Sequence, residues 1–256
     1  MPFTYLSHQA PVLAVKMRWP AVFDGTAMVA GSMAPDWAYA LFDTPLAFDG
    51  HSIGGVVAFC VPAAVAAAWV LRRVAPVLFA YVPSPARLPL RQLRALVDRR
   101  PPLVVTVASA LVGAVSHVGW DLFTHPARWG PQHIAWLRSP SPSLLGRTVT
   151  WASALQYAGH VGGALVAVYL LSRILTSGSF RRWYGIAPEP VVDGTSRPPA
   201  GALRFWAVVT VGVVAGLAAA TIGHPGLPGR IIRLSLGAGL GLVAASRACA
   251  TTPSSR

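Results

Sequence analysis

Five long apolar runs constrain this chain more than any other feature: residues 53–71, 103–123, 151–171, 205–222 and 231–246. A helix rises 1.5 Å per residue, so crossing the ~30 Å hydrocarbon core of a bilayer takes about 20 apolar residues. Most of the runs are near that length. The last is the weakest, being short and carrying Arg233 near its start, where the side chain could snorkel to the interface. Inside a bilayer each backbone N–H and C=O must be paired within its own segment, so such runs predict helices. Composition agrees. The chain is 54% hydrophobic and 11% charged, against roughly 25% charged in a soluble domain. The expected fold is all-α, a polytopic transmembrane bundle of about five spans.

A sixth apolar stretch, residues 21–42, holds Asp24, Pro35, Asp36 and two glycines. Irregular backbone at membrane depth needs a protein-lined cavity, so this stretch is predicted to be re-entrant or interfacial. Residues 1–20 contain His8, Lys16 and Arg18 and lack the continuous apolar core of a signal peptide. Residues 1–175 are expected to form the membrane domain that carries the polar clusters described below. Residues 176–202 read as a Pro/Gly/Ser-rich linker, 203–248 as two C-terminal spans, and 249–256 as a disordered tail. Cys60 and Cys249 fall in apolar stretches and read as two buried thiols.

The net charge is +13, and every basic residue except Lys16 is an arginine. No aromatic-basic reading face is present, which argues against a nucleic-acid partner; membrane lipids are the expected partner, and nothing in the sequence names a protein one. Within the Arg- and Pro-rich segment 72–102, Leu90, Leu93, Leu96 and Val97 interleave with Arg91, Arg94, Arg99 and Arg100. That pattern predicts a basic amphipathic segment lying on the membrane surface. Five spans sort the loops onto two sides. Segments 72–102, 173–204 and the C-terminus carry 14 Arg; the N-terminal region, 125–150 and 223–233 carry 7 Lys+Arg. The positive-inside rule then places the first side, with the C-terminus, in the cytoplasm.

Polar clusters interrupt this apolar background: Ser7-His8, Ala34-Pro35-Asp36, Gly50-His51-Ser52, and Ser116-His117 through Trp120-Asp121 to Thr124-His125-Pro126. Ionisable groups at membrane depth are costly and mark candidate sites. His117, Asp121 and His125 are spaced i, i+4, i+8, which places them on one helix side, and Pro126 is expected to end the helix. On the five-span arrangement every cluster falls at the same, extracytoplasmic face. Imidazoles and carboxylates that converge are ligands suited to a zinc-like divalent cation. The expected metal ligands are His8, Asp36, His51, His117, Asp121 and His125. Bland alternatives stand beside each: Asp36 as a helix N-cap, and His51-Ser52 as a polar helix start. Gln156 and His160 could orient a ligand or make an interhelical hydrogen bond, the latter being favoured. His133 and His224 read as solvated loop residues.

The residues Met1-Pro2-Phe3-Thr4, Ser7-His8, Gly31-Ser32-Met33-Ala34-Pro35-Asp36, Gly50-His51-Ser52, Ser116-His117, Trp120-Asp121 and Thr124-His125-Pro126 resemble the domain-of-unknown-function 4184 family, a group of uncharacterised bacterial integral-membrane proteins. The resemblance covers most of residues 1–175. The order of the motifs is also similar to inner-membrane metal-dependent hydrolases and, more distantly, to zinc-dependent phospholipase C and P1-type nucleases. It implies a bacterial inner-membrane location, a zinc cluster and phosphodiester cleavage. The soluble enzymes add a later His-x-x-x-Glu pair where this chain has Gln156-x-x-x-His160, so one or two ions are expected rather than three. The leading function is a metal-dependent hydrolase acting on a lipid-linked or membrane-proximal ester. The alternatives are a non-catalytic membrane protein with a structural polar or metal site, and a small proton or metal transporter. The sequence assigns no general acid or base.

Overall fold

The computed structural model describes residues 4–85, 88–142, 148–186 and 201–250. Five helices are long and apolar enough to cross a membrane: α5 (Ile53–Tyr81), α6 (Leu103–Thr124), α7 (Trp151–Thr176), α8 (Ala202–Thr221) and α9 (Gly226–Ala250). Four short helices precede them: α1 (Thr4–Ser7), α2 (Gln9–Arg18), α3 (Gly25–Gly31) and α4 (Ala34–Trp37). No strand occurs among the described residues. The chain is an all-helical, multi-pass bundle, with every expected span present.

The packing is that of a bundle whose solvent is lipid. Ala64 and Ala68 on α5 and Ala110 and Ala114 on α6 are fully buried, while Val104, Leu111, Val115, Leu165, Val211 and Leu217 point outward. Lipid tails give large apolar side chains no reason to leave them, so helices associate by close approach over small residues. The α8–α9 hairpin shows this clearly: Gly212 and Gly216 pack on Gly237 and Gly241, backbone against backbone. It joins α5 through Val74, Leu78, Phe205, Val209 and Ala245. Cys60 and Cys249 are buried free thiols.

The N-terminal region is a helical hairpin. Ser7 lies against Gly163 in mid-α7, and α2 then runs beside α7 until Lys16 sits 5.3 Å from the Trp183 ring. The chain turns there. The Lys16 ammonium donates to the carbonyls of Pro20 (2.6 Å) and Phe23 (2.7 Å). Asp24 caps α3 by accepting from the N–H groups of Thr26 and Ala27. Its carboxylate also pairs with Arg72 and accepts from Thr106, and its own N–H donates to Ser109. The return leg climbs parallel to α6: Gly31 meets the backbone of Ala110, Met28 and Ser32 meet Gly113, and Asp36 reaches His117. Neither leg alone matches a ~30 Å core; each buries one side on the protein, Val12 and Leu13 on the first and Ala27, Met28 and Ala30 on the second.

Several expectations change with this path. Lys16 lies at the arginine-rich end with Arg99, which donates to the Trp183 carbonyl. It does not share the end that carries His8, because α2 leads it away. Leu90–Asp98 is a 3-10 helix whose apolar side is spent on the protein: Leu90, Leu93 and Leu96 pack with Ala167, Ile174, Leu175 and Phe180. Arg91, Arg94 and Asp98 remain outward. Arg233 does not snorkel; it pairs with Asp43 and donates to the carbonyls of Ala40, Ala219 and Ile222. Of the expected linker, Ser179–Tyr184 forms a short helix with Phe180 buried, and residues 187–200 lie outside the described residues. Cys249 and Ala250 continue α9 rather than the expected tail, and residues 251–256 lie outside the described residues.

Candidate metal centre

Four elements converge at the end of the bundle away from the Lys16–Arg99 turn. Helix α6 contributes His117 and Asp121 one turn apart, as their spacing required. The helix stops at Thr124, with His125 as an extended cap ahead of Pro126. Asp36 comes from α4 and His51 from the residue before the Ser52 cap of α5. His8 comes from the junction of α1 and α2. Asp36 is not an N-cap; it sits inside α4, and Asp24 plays the capping role elsewhere. Ser52 does cap α5 by accepting from Gly55 N–H (2.9 Å), which leaves the His51 ring free to turn inward.

Asp36, His51, His117 and Asp121 are all buried, and one donor atom from each lies within 4.8 Å of the others. Their separations can be compared with a geometric standard. Four N/O ligands at 2.0–2.1 Å from a tetrahedral ion stand about 3.3–3.4 Å from one another. Here His51 Nε2 is 3.3 Å from His117 Nε2 and 3.2 Å from Asp121 Oδ2. His117 Nε2 is 3.3 Å from Asp121 Oδ2 and 3.5 Å from Asp36 Oδ1. His51 Nε2 is 3.7 Å from Asp36 Oδ1. Charge-assisted hydrogen bonds are shorter, about 2.7–2.9 Å. Five of the six donor pairs thus fall at 3.2–3.7 Å, close to the ligand–ligand spacing around a common point.

The tautomers support the same reading. His117 Nδ1 lies 2.8 Å from the Ser32 carbonyl. A carbonyl only accepts, so Nδ1 carries a hydrogen, and in the neutral ring the Nε2 lone pair faces the cluster. Behind His51, Asp49 Oδ1 accepts from the His51 N–H (2.9 Å) and lies 3.7 Å from Nδ1. Arg128 in turn fixes Asp49 with contacts of 3.0 and 3.3 Å, and its hydrogen bonds hold the Asp49 carboxyl below its usual range. Carboxylates and carbonyls behind imidazoles orient them for metal binding. The four residues can hold a divalent cation.

A protein-family profile, described as Domain of unknown function (DUF4184), matches residues 1–247. The chain belongs to that family. The match runs past residue 175 through both C-terminal spans, further than the motif resemblance reached. No curated protein and no solved structure matches the chain.

The remaining candidates of this DUF4184 chain lie around the four. The His8 ring stacks on His117, with centroids 3.8 Å apart and planes 20° apart, and its Nε2 is 3.7 Å from Asp121 Oδ1. Burial, with the neighbouring His117, pushes His8 down to about 3 against the pull of Asp121 and Asp36, so it is neutral near pH 7. Burial raises Asp36, but the His117 and His51 rings outweigh it and leave the carboxyl lowered. His125 is less buried. Its Nδ1 is 3.5 Å from Asp121 Oδ1, and its Nε2 lies 2.8 Å from Gln156 Nε2. Among the described residues His160 makes neither of its expected contacts: both ring nitrogens are buried without a hydrogen bond. His133 and His224 are exposed and far from the cluster's chemistry, with His133 Nδ1 2.8 Å from the Trp129 carbonyl.

Sequence reasoning missed Ser32, Asp49, Arg128 and Tyr39. Asp49, two residues before His51, was the legible one. Tyr39 lies beside His51, ring centroids 5.7 Å apart, with its hydroxyl pushed up by burial and by the Asp36 and Asp121 charges. Beside His8 opens a cavity of about 580 Å³, walled by Pro11, Gly119, Trp120, Phe123, Gly159 and Gly163. Glycine at 159 and 163 lets Trp120 and Ser7 approach α7 closely.

Proposed function

We propose that this chain is a membrane-embedded, metal-dependent hydrolase acting on a lipid-linked or membrane-proximal ester, with a phosphodiester as the leading candidate. The observation that carries the proposal is the convergence of Asp36, His51, His117 and Asp121, all buried and with donor atoms within 4.8 Å of one another, at one end of an apolar bundle. Zinc is the proposed cation, because two imidazoles and two carboxylates at this spacing are borderline-hard ligands in its preferred geometry. When bound, such an ion lowers the pKa of water toward neutrality and stabilises charge developing on the ester. The protein's part is to hold the imidazoles oriented, through Ser32 behind His117 and Asp49 with Arg128 behind His51. The cavity beside His8, apolar along its walls and polar where it meets the cluster, suits an amphiphile that brings a polar ester to the site with its hydrocarbon alongside. The arginine-rich end is assigned to the cytoplasm and the site to the extracytoplasmic side of a bacterial inner membrane, by the positive-inside rule. The order of the motifs, similar to zinc-dependent phosphodiesterases, adds to this reading.

One observation favours a second reading, a non-catalytic structural metal site. Four protein donors already complete a tetrahedron, and closed sites of that kind are usually structural. Asp121→Asn separates the two, since it keeps shape and removes charge. In a hydrolase it abolishes metal loading and phosphodiester cleavage while the bundle's melting temperature changes little, because packing rests on apolar contacts. In a structural site it lowers melting temperature and expression together with metal content. Purified wild-type protein that holds no divalent metal between pH 6 and 8, where neutral imidazole is available, would refute both.

A further inference from the structure

We infer that Asp121 bridges two cation subsites: a closed one formed with Asp36, His51 and His117, and an open one formed with His8 and His125 that faces the cavity beside His8. This rests on reading the cluster as a metal centre. The two oxygens of Asp121 address different residues. Oδ2 faces His51 Nε2 (3.2 Å) and His117 Nε2 (3.3 Å). Oδ1 faces His8 Nε2 (3.7 Å) and His125 Nδ1 (3.5 Å). Among the described residues neither Asp121 Oδ1 nor His125 Nδ1 has a hydrogen-bond partner, though both atoms are buried. Leaving such atoms unpaired in an apolar bundle is costly, and a cation between them would satisfy both. The two separations, 3.5 and 3.7 Å, are longer than a charge-assisted hydrogen bond of about 2.7–2.9 Å.

The surroundings are arranged for the open role. Gln156 reaches His125 Nε2. With its amide oxygen turned toward that atom, Gln156 accepts the Nε2 proton and leaves the Nδ1 lone pair for a cation; oxygen and nitrogen of an amide exchange by a simple flip. His8 is held by its stack on His117, so its Nε2 stays directed at Asp121. His8 also lines the cavity of about 580 Å³. A subsite with three protein donors keeps a coordination position for water or substrate, which the four-donor subsite lacks. The split resolves the tension between a closed tetrahedron and a hydrolytic site: the first ion fixes α4, α5 and α6, and the second meets the substrate. Two ions sharing a carboxylate stand about 3.5–4 Å apart, the separation of two-metal hydrolytic centres.

Metal counting tests this without any substrate. The purified full-length protein, loaded with excess Zn²⁺ in detergent and desalted, should hold two zinc ions per chain by elemental analysis. His125→Ala, at a half-buried cap position, should hold one, and so should His8→Ala. Gln156→Leu leaves all six donor residues in place, so it reports on the subsite even if the alanine variants fold poorly; it should weaken the second ion by about 10–100-fold. Loaded with Co²⁺, the wild type should show the magnetic coupling of a bridged pair, and His125→Ala the signal of an isolated ion. A wild type saturating at one ion overturns the two-subsite inference and leaves the four-donor site standing. Two ions retained in His125→Ala overturn it as well. A wild type that binds none overturns both.

Discussion

Replacing Gly113 with alanine should loosen the metal centre without touching a ligand. Gly113 is where α3 lies directly against α6. A Cβ there would stand 2.8 Å from Ser32 N and 3.0 Å from Gly31 C, and closer still to the Met28 carbonyl. Carbon prefers neighbours at about 3.5 Å, so the backbone of α3 must retreat by about 0.7 Å or more. That backbone is stiff, and on the other side Gly31 already meets the backbone of Ala110. The retreat therefore carries Ser32, whose carbonyl sits 2.8 Å from His117 Nδ1, and α4 with Asp36. Ligand sets tolerate about 0.5 Å of misplacement. The expected outcome is a 10–100-fold loss of zinc affinity, the range found when a group behind a ligand is disturbed. Overpacking should also cost about 1–3 kcal/mol of stability. Competition against a chromogenic chelator measures the first, and a thermal melt in detergent the second. Gly119→Ala is the control: it lies on the same helix, nearer the site, with nothing within 4 Å of the added Cβ. Gly113→Ala with wild-type affinity and melting temperature, or Gly119→Ala equally impaired, would refute the claim that α3 seats the centre through this contact.

Two further outcomes follow from other parts of the fold. Burial and the nearby Arg99 push Lys16 down from 10.5 to about 8, with Asp24 opposing. Between pH 8 and 10.5 the folded chain then binds fewer protons than the unfolded one, so Lys16's contribution to stability rises with pH across that window; the melting-temperature difference between wild type and Lys16→Met should grow from pH 8 to 10, and a constant difference would contradict the assignment. The arginine asymmetry predicts that residues 82–85 face the cytoplasm: with both natural cysteines buried, Ser84→Cys should resist a membrane-impermeant thiol reagent on intact cells and react after permeabilisation, and labelling from outside would reverse the proposed placement of the site.

The sequence by itself determined the spans, because an apolar run long enough to cross a bilayer has almost no other way to pair its backbone. It also determined that His117 and Asp121 share a face, because a helix fixes side-chain direction at i, i+4, and that the helix ends at His125, because Pro126 follows. It could not say where the stretch 21–42 goes. That depended on Lys16 and Asp24 satisfying a turn inside the protein, and on Gly31 and Gly113 permitting backbone contact, which are properties of a pair of helices and not of either. The amphipathic pattern of residues 90–98 marks an apolar face that the protein itself covers, since hydrophobic periodicity marks a face without naming what covers it. Arg233 was legible as a charge near a span, but its partner Asp43 is nearly the whole chain away. The site divides the same way. Six ligand candidates were visible as costly groups in an apolar chain. Which four of them stand at ligand spacing, which oxygen of Asp121 faces which histidine, and that Ser32, Asp49 and Arg128 stand behind the rings were decided only when α4, the start of α5 and the end of α6 met, because tetrahedral geometry is set by distances between segments that sequence does not encode locally.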